Sequence, residues 1–144
     1  MNVESILRDK GSKVVTVTPD ASIGEVARTL RKAAIGAAIV SEDGRNVVGI
    51  ISERDIVTGL ADPVRRANLL EAPAKSLMTR KVITCTPEDS VETCMSLMTE
   101  RRCRHLPVLR GGVLTGVVSI GDLVKHRLGE LEKEAGFLRE MIAG

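Results

Sequence analysis

Gly116-Val117-Val118-Ser119-Ile120-Gly121-Asp122 decides the reading of this chain, because Gly49-Ile50-Ile51-Ser52-Glu53-Arg54-Asp55 is a second copy of it. Each copy is an apolar run that opens on Gly and breaks at Ser, with an acid three residues later. Ser is a strong helix N-cap, and a first-turn acid suits the positive end of the helix dipole. Both stretches therefore predict a strand running straight into a helix. Backbone N–H groups at such a junction suit an anion, while the carboxylate accepts hydrogen bonds from hydroxyls. Together they suit a nucleotide: the acid for a ribose diol, the cap and nearby bases for phosphate. Ser-x-x-Asp taken singly is also a capping box in which Asp replaces the usual Glu. The repetition is what adds weight to a ligand site.

Working outward, the duplication extends much further. Val82-Ile83-Thr84-Cys85-Thr86-Pro87-Glu88-Asp89-Ser90-Val91 repeats Val14-Val15-Thr16-Val17-Thr18-Pro19-Asp20-Ala21-Ser22-Ile23 at a shift of 68 residues. In each, a β-branched strand leads through a Thr-Pro turn to a helix opening at Ser. Ser22-Ile23-Gly24-Glu25 reads as a full capping box. Ile23, Val26, Ala27 and Leu30 then recur at helical spacing, as do Val91, Cys94, Met95 and Met98. Strands follow at Ala37–Val40 and Leu106–Val108, with turns at Asp43-Gly44 and Gly111-Gly112. The chain thus divides into repeats 13–61 and 79–128 joined by a linker, 62–78. An N-terminal helix over 1–12 is expected to complete the first repeat, and an amphipathic helix to follow over 129–144. A unit of three short strands and two helices cannot cover both faces of its sheet, so each should bury its apolar face against the other. The expected fold is α/β, or α+β, made of two pseudo-symmetric β-α-β-β-α repeats packed sheet to sheet, plus a C-terminal helix. Ligand-sized clefts are expected between the copies, where strand gives way to helix.

Composition narrows the function. Lys plus Arg number 21 against 19 acids, a net charge of +2, which is not the strongly basic face of a nucleic-acid binder. There is no Trp or Tyr and a single Phe, so platforms for stacking bases are nearly excluded. Met1–Ser5 lacks the basic and apolar regions of a signal peptide, and the longest weakly polar run, 33–40, falls far short of the ~20 residues that a spanning helix needs. A cytoplasmic protein without membrane contact is expected. Cys85, Cys94 and Cys103, nine residues apart, match no zinc spacing and read as small apolar residues. No nucleophile with a neighbouring base stands out, so an enzyme is not expected. Arg101, Arg102, Arg104 and His105 form a basic cluster; guanidinium is a bidentate partner for phosphate, although cations also suit a helix C-terminus.

Val-x-Thr-Pro-x-x-Ser, a helix, His105-Leu106-Pro107-Val108, a Gly turn and Gly116-Val117-Val118-Ser119-x-x-Asp122 together resemble the CBS domain, named after cystathionine β-synthase. The resemblance covers residues 1–128 as a tandem pair. The second repeat is the better match; the first has Gly36-Ala37-Ala38-Ile39-Val40 where the family has a Leu-Pro-Val type of strand. The resemblance implies a regulatory sensor binding an adenosyl compound (AMP, ADP, ATP or NAD(H), with S-adenosylmethionine disfavoured by the nearby bases) and signalling to a separate effector protein by a change of shape or affinity. It implies a first cleft formed by Ser52, Arg54, Asp55, Thr79, Arg102, Arg104, His105 and Pro107, in which Asp55 takes the ribose hydroxyls. It implies a second formed by Gly36, Ala37, Ala38, Ser119, Gly121 and Asp122. No metal site and no catalytic cofactor are expected. The rival expectation is a structural interaction module with empty clefts. Leu128, Leu131, Ala135, Leu138 and Ile142 form a heptad-like stripe at the C-terminus, and the family habit of pairing through helices implies a homodimer.

Overall fold

In the computed structural model, which describes residues 1–143, both Ser residues of the repeated stretch sit where a strand becomes a helix. After α1 (Val3–Lys10), the first repeat runs β1 (Thr16–Val17), α2 (Ile23–Ala33), β2 (Ala37–Val40), β3 (Gly49–Ser52) and α3 (Glu53–Ala61). The second runs α4 (Val91–Arg101), β4 (His105–Arg110), β5 (Val113–Ser119) and α5 (Ile120–Ala143). β2 is the middle strand of the first sheet, parallel to β1 and antiparallel to β3. β4 and β5 pair antiparallel in the second.

Helix starts follow the caps in the sequence. The side chains of Asn2, Ser22, Ser52 and Ser90 accept from the N–H groups of Ser5, Glu25, Asp55 and Thr93. Helices α2 and α4 end alike, on Ala34 and Arg102 in the left-handed region at φ 55° and 54°. The first strand of each repeat is much shorter than expected. β1 keeps two residues, and the strand expected over 82–85 contributes a single parallel bridge between Cys85 and Val108. There Cys85 N–H donates to the Pro107 carbonyl (3.0 Å) and Leu109 N–H to the Cys85 carbonyl (2.8 Å). Val82 and Ile83 leave the sheet and line a cavity instead.

The buried side chains form two clusters, one per repeat, and their membership corrects two expectations. Val3, Ile6 and Leu7 of α1 pack with Cys94, Leu106 and Val118, so the N-terminal helix covers the second repeat and does not complete the first. The linker is folded as well. It forms 3₁₀ turns at Arg65–Glu71 and Ala74–Ser76, and its Leu69 and Ala74 are buried with Ile23, Val26 and Ile51 of the first repeat. The lead-in segments are therefore exchanged. Val3 N–H donates to the Asp89 carbonyl (2.9 Å) and Glu4 N–H to that of Pro87 (2.9 Å), while Ala74 N–H donates to Ala21 (2.8 Å) and Lys75 N–H to Pro19 (3.0 Å). Each small sheet needs a cover that its own two helices do not supply, and the other repeat's lead-in provides it.

At the C-terminus the structure shows one 24-residue helix, α5, and no separate element beginning at 129. Gly129 and Gly136 meet no neighbour that would force a break there. No helix among the described residues is long and apolar enough to cross a membrane.

Candidate functional site

The β3–α3 junction opens onto a cavity of about 630 Å³, within the roughly 300–1,000 Å³ usual for small-molecule sites. One wall is the first turn of α3 with Ile50 and Ser52; another is the lead-in strand, Thr79 and Lys81 to Ile83. The end of α4 and the start of β4, Arg101 to His105, close the far side. Gly36, Ala37, Ser119 and Ile120 complete the lining.

Asp55 forms a full capping box with Ser52. Its Oδ2 accepts from the Ser52 N–H (2.8 Å) and hydroxyl (3.0 Å), and its own N–H donates to Ser52 Oγ (3.2 Å). The capping and ligand readings of Ser-x-x-Asp are thus compatible, because the box occupies Oδ2 and no hydrogen bond within the described residues uses Oδ1. Five cations line the cavity: Arg54, Lys81, Arg101, Arg102 and Arg104. Only two acids, Glu53 and Asp55, accompany them. None of the five is in an ion pair among the described residues. Arg102 occupies a left-handed position that Gly or Asn would fill at less cost, a kind of local strain that concentrates at functional sites.

His105 faces Gly36 across the cavity. A Cβ on Gly36 would lie 3.5 Å from His105 Cε1, in ordinary van der Waals contact with the ring. Burial pushes the imidazole below its ordinary pKa, and nearby Lys10 and Arg104 push the same way against Asp122 and Glu53. The ring is neutral at pH 7 and offers hydrogen bonds rather than charge. Burial pushes the Cys103 thiol up, which keeps it protonated and unsuited to act as a nucleophile. No cluster of three or more metal-ligating side chains occurs among the described residues.

The structure brings together seven of the eight residues expected in the first cleft. Pro107 is the exception: it is buried within β4 between Leu106 and Val108, which fill the second repeat's core. The second group does not assemble as expected. Gly36, Ala37 and Ser119 line the same cavity as Asp55, and Ala38 is wholly buried in the first repeat's core. Neither Gly121 nor Asp122 lines that cavity. The reason is the pseudo-twofold arrangement: the carbonyls of Gly36 and Arg104 accept from Glu53 N–H (2.9 Å) and Ile120 N–H (2.8 Å), so β2 and β4 both deliver their first residues to one central space. Lys81, Val82 and Ile83 were missed in the sequence. Their signal was the lead-in strand itself, which reads as a core strand until the exchange is known.

Asp122 has a different partner. Its Oδ2 accepts from the Ser119 N–H (2.8 Å) and from Lys10 Nζ (2.7 Å), while Lys10 Nζ also donates to the Val117 carbonyl (2.9 Å). Burial pushes this carboxyl up, but the Lys10 ammonium and the Ser119 donors outweigh it and hold the group below its ordinary value.

The CBS domain family matches the chain twice, over residues 3–62 and 74–129. The fold is shared with a CBS-domain-containing protein of Agrobacterium tumefaciens at a TM-score of 0.83 and 42% identity, covering 88% of this chain and 99% of that one. A CBS domain protein of Pyrobaculum aerophilum complexed with AMP matches at TM-score 0.74 and 29% identity, covering 85% of this chain and 89% of its own. The CBS domain pair of protein MJ0100, complexed with 5′-methylthioadenosine and S-adenosyl-L-methionine, matches at TM-score 0.79 and 25% identity, covering 90% and 98%.

Proposed function

The chain belongs to the CBS-domain family, as a tandem pair of its repeats, and from that premise we propose that it is a cytoplasmic regulatory module which binds a phosphorylated adenosine compound of the AMP, ATP or NAD(H) type in the Asp55 cavity. One observation carries this reading: five cations without ion-pair partners converge with the open carboxylate oxygen of Asp55 on a single cavity of nucleotide size. The carboxylate accepts the ribose hydroxyls, the α3 N-terminus and the guanidinium groups take phosphate, and Gly36, Ala37 and Ile83 offer the flat apolar room that a purine needs. The AMP bound by the Pyrobaculum relative supports the ligand class. The sulfonium of S-adenosylmethionine, bound by the MJ0100 pair, is repelled by this wall.

The test is a thermal-shift panel of AMP, ADP, ATP, NAD⁺, NADH and S-adenosylmethionine. A ligand at 100 times its Kd adds roughly 2.7 kcal/mol to stability. The expected result is a large shift with at least one phosphorylated member and a smaller one with S-adenosylmethionine. No shift across the panel favours the rival reading, an interaction module with empty clefts, for which the complete Ser52–Asp55 capping box is already a sufficient role for the motif.

The module is further proposed to act as a homodimer. Val57 and Leu60 on α3, Val64 just beyond it, and Val124, Leu128 and Leu131 on α5 are all exposed, and Val57 and Val64 hold places equivalent to Val124 and Leu131 in the two repeats. A pseudo-symmetric apolar face of this kind suits a self-complementary contact with a second copy. Sedimentation of the wild type is expected to give a dimer, and of Val57→Glu with Leu128→Glu a folded monomer.

A further inference from the structure

The two halves of the module treat equivalent atoms differently. On the first side Thr79 N–H donates to the Ile50 carbonyl (2.8 Å), and the carboxylate of Asp55 has no cation paired with it among the described residues. On the second side the equivalent carbonyl, that of Val117, accepts from Lys10 Nζ (2.9 Å), and the same ammonium is ion-paired to Asp122 at 2.7 Å. The cause lies in the lead-ins. Residues 74–76 make one 3₁₀ turn before the chain extends along β3, whereas α1 stays helical for eight residues and delivers Lys10 from its last turn to β5 and α5. Leu7, one turn earlier, is packed so closely on β5 that a Cβ on Gly116 would lie 2.8 Å from its Cδ2. Lys10 is therefore held on Asp122 by the anchored helix that carries it.

We propose that Lys10 is a built-in competitor at the second cleft: Asp122 Oδ1 carries no hydrogen bond among the described residues, but the ammonium on Oδ2 neutralises the carboxylate that a ribose would need, so the chain binds one nucleotide, in the Asp55 cavity, while Lys10 stays on Asp122. The inference rests on the nucleotide reading above and deepens it. Opening the second side requires Lys10 to leave both Asp122 and the Val117 carbonyl, which ties that side to the position of α1.

The test is the number of nucleotides bound per chain, measured by calorimetric titration with AMP, ATP and NADH in turn. Wild type is expected to bind one equivalent, and Asp55→Ala to weaken that event at least tenfold. Lys10→Met, which keeps the aliphatic stem and removes the charge, is expected to bind two; adding Asp122→Ala returns it to one. Lys10 is partly exposed, so the variant should fold, and Lys10→Gln provides a second version of the same change. Two equivalents in the wild type, or one in both wild type and Lys10 variants, overturns this proposal and leaves the nucleotide reading standing. Saturable binding absent from all of them overturns the nucleotide reading, and this proposal with it.

Discussion

Asp55→Ala is expected to weaken nucleotide binding by 10- to 100-fold, and Asp55→Glu to weaken it comparably while leaving stability almost unchanged. The first change removes a charged acceptor, and hydrogen bonds to charged groups are worth on the order of 1.5–3 kcal/mol. It also deletes half of the Ser52–Asp55 capping box, which costs about 1 kcal/mol of stability, so alone it cannot separate a ligand role from a helix cap. Glu separates them. It is the ordinary residue for this position of a capping box and can keep the bonds to Ser52, but its extra methylene moves the second carboxylate oxygen in the cavity. Denaturant melts and titrations of both variants decide the matter. Affinity retained in Asp55→Glu would mean that the carboxylate only caps α3.

Leu7→Ala is expected to destabilise the whole module by about 2–5 kcal/mol, a large share of the roughly 5–15 kcal/mol typical of a domain. Leu7 belongs to a helix outside either sheet, yet it is buried in the second repeat's core against Gly116. Gly116→Val should be costly for the converse reason, because its new Cβ would overlap the Leu7 methyl. Combined, the small residue at 7 and the larger one at 116 should recover part of the loss, with the coupling read from a double-mutant cycle of denaturant midpoints. Purely additive effects would show that α1 is not held against β5. Were α1 a cover for the first repeat, Leu7→Ala would leave the second repeat's core unaffected.

The match between sequence and structure is closest where the determinants are local. Ser22, Ser52 and Ser90 cap the helices they were expected to cap, and β2 spans the four residues read as a strand. These features depend on side chains a few positions apart, and a cap or an apolar period acts in the same way wherever the segment lies. The Asp55 wall of the cavity was legible for the same reason, since Ser52, Arg54 and Asp55 share one helical turn. The basic stretch that faces it, Arg102 to His105, was legible as a chemical cluster.

What the sequence by itself determined is the pair of repeats, their caps and the residue types at each strand-to-helix junction, because duplication and short-range chemistry are written along the chain. Only the tertiary structure decided which lead-in covers which sheet, that Gly36 shares a cavity with Asp55, and that Lys10 reaches Asp122. The physical reason is that each of these is a contact between segments far apart in sequence. Two repeats of one pattern offer each lead-in two similar sheets to cover, and local pattern does not distinguish them. The choice depends on the exchanged backbone bonds of Val3 and Ala74 and on the length of α1.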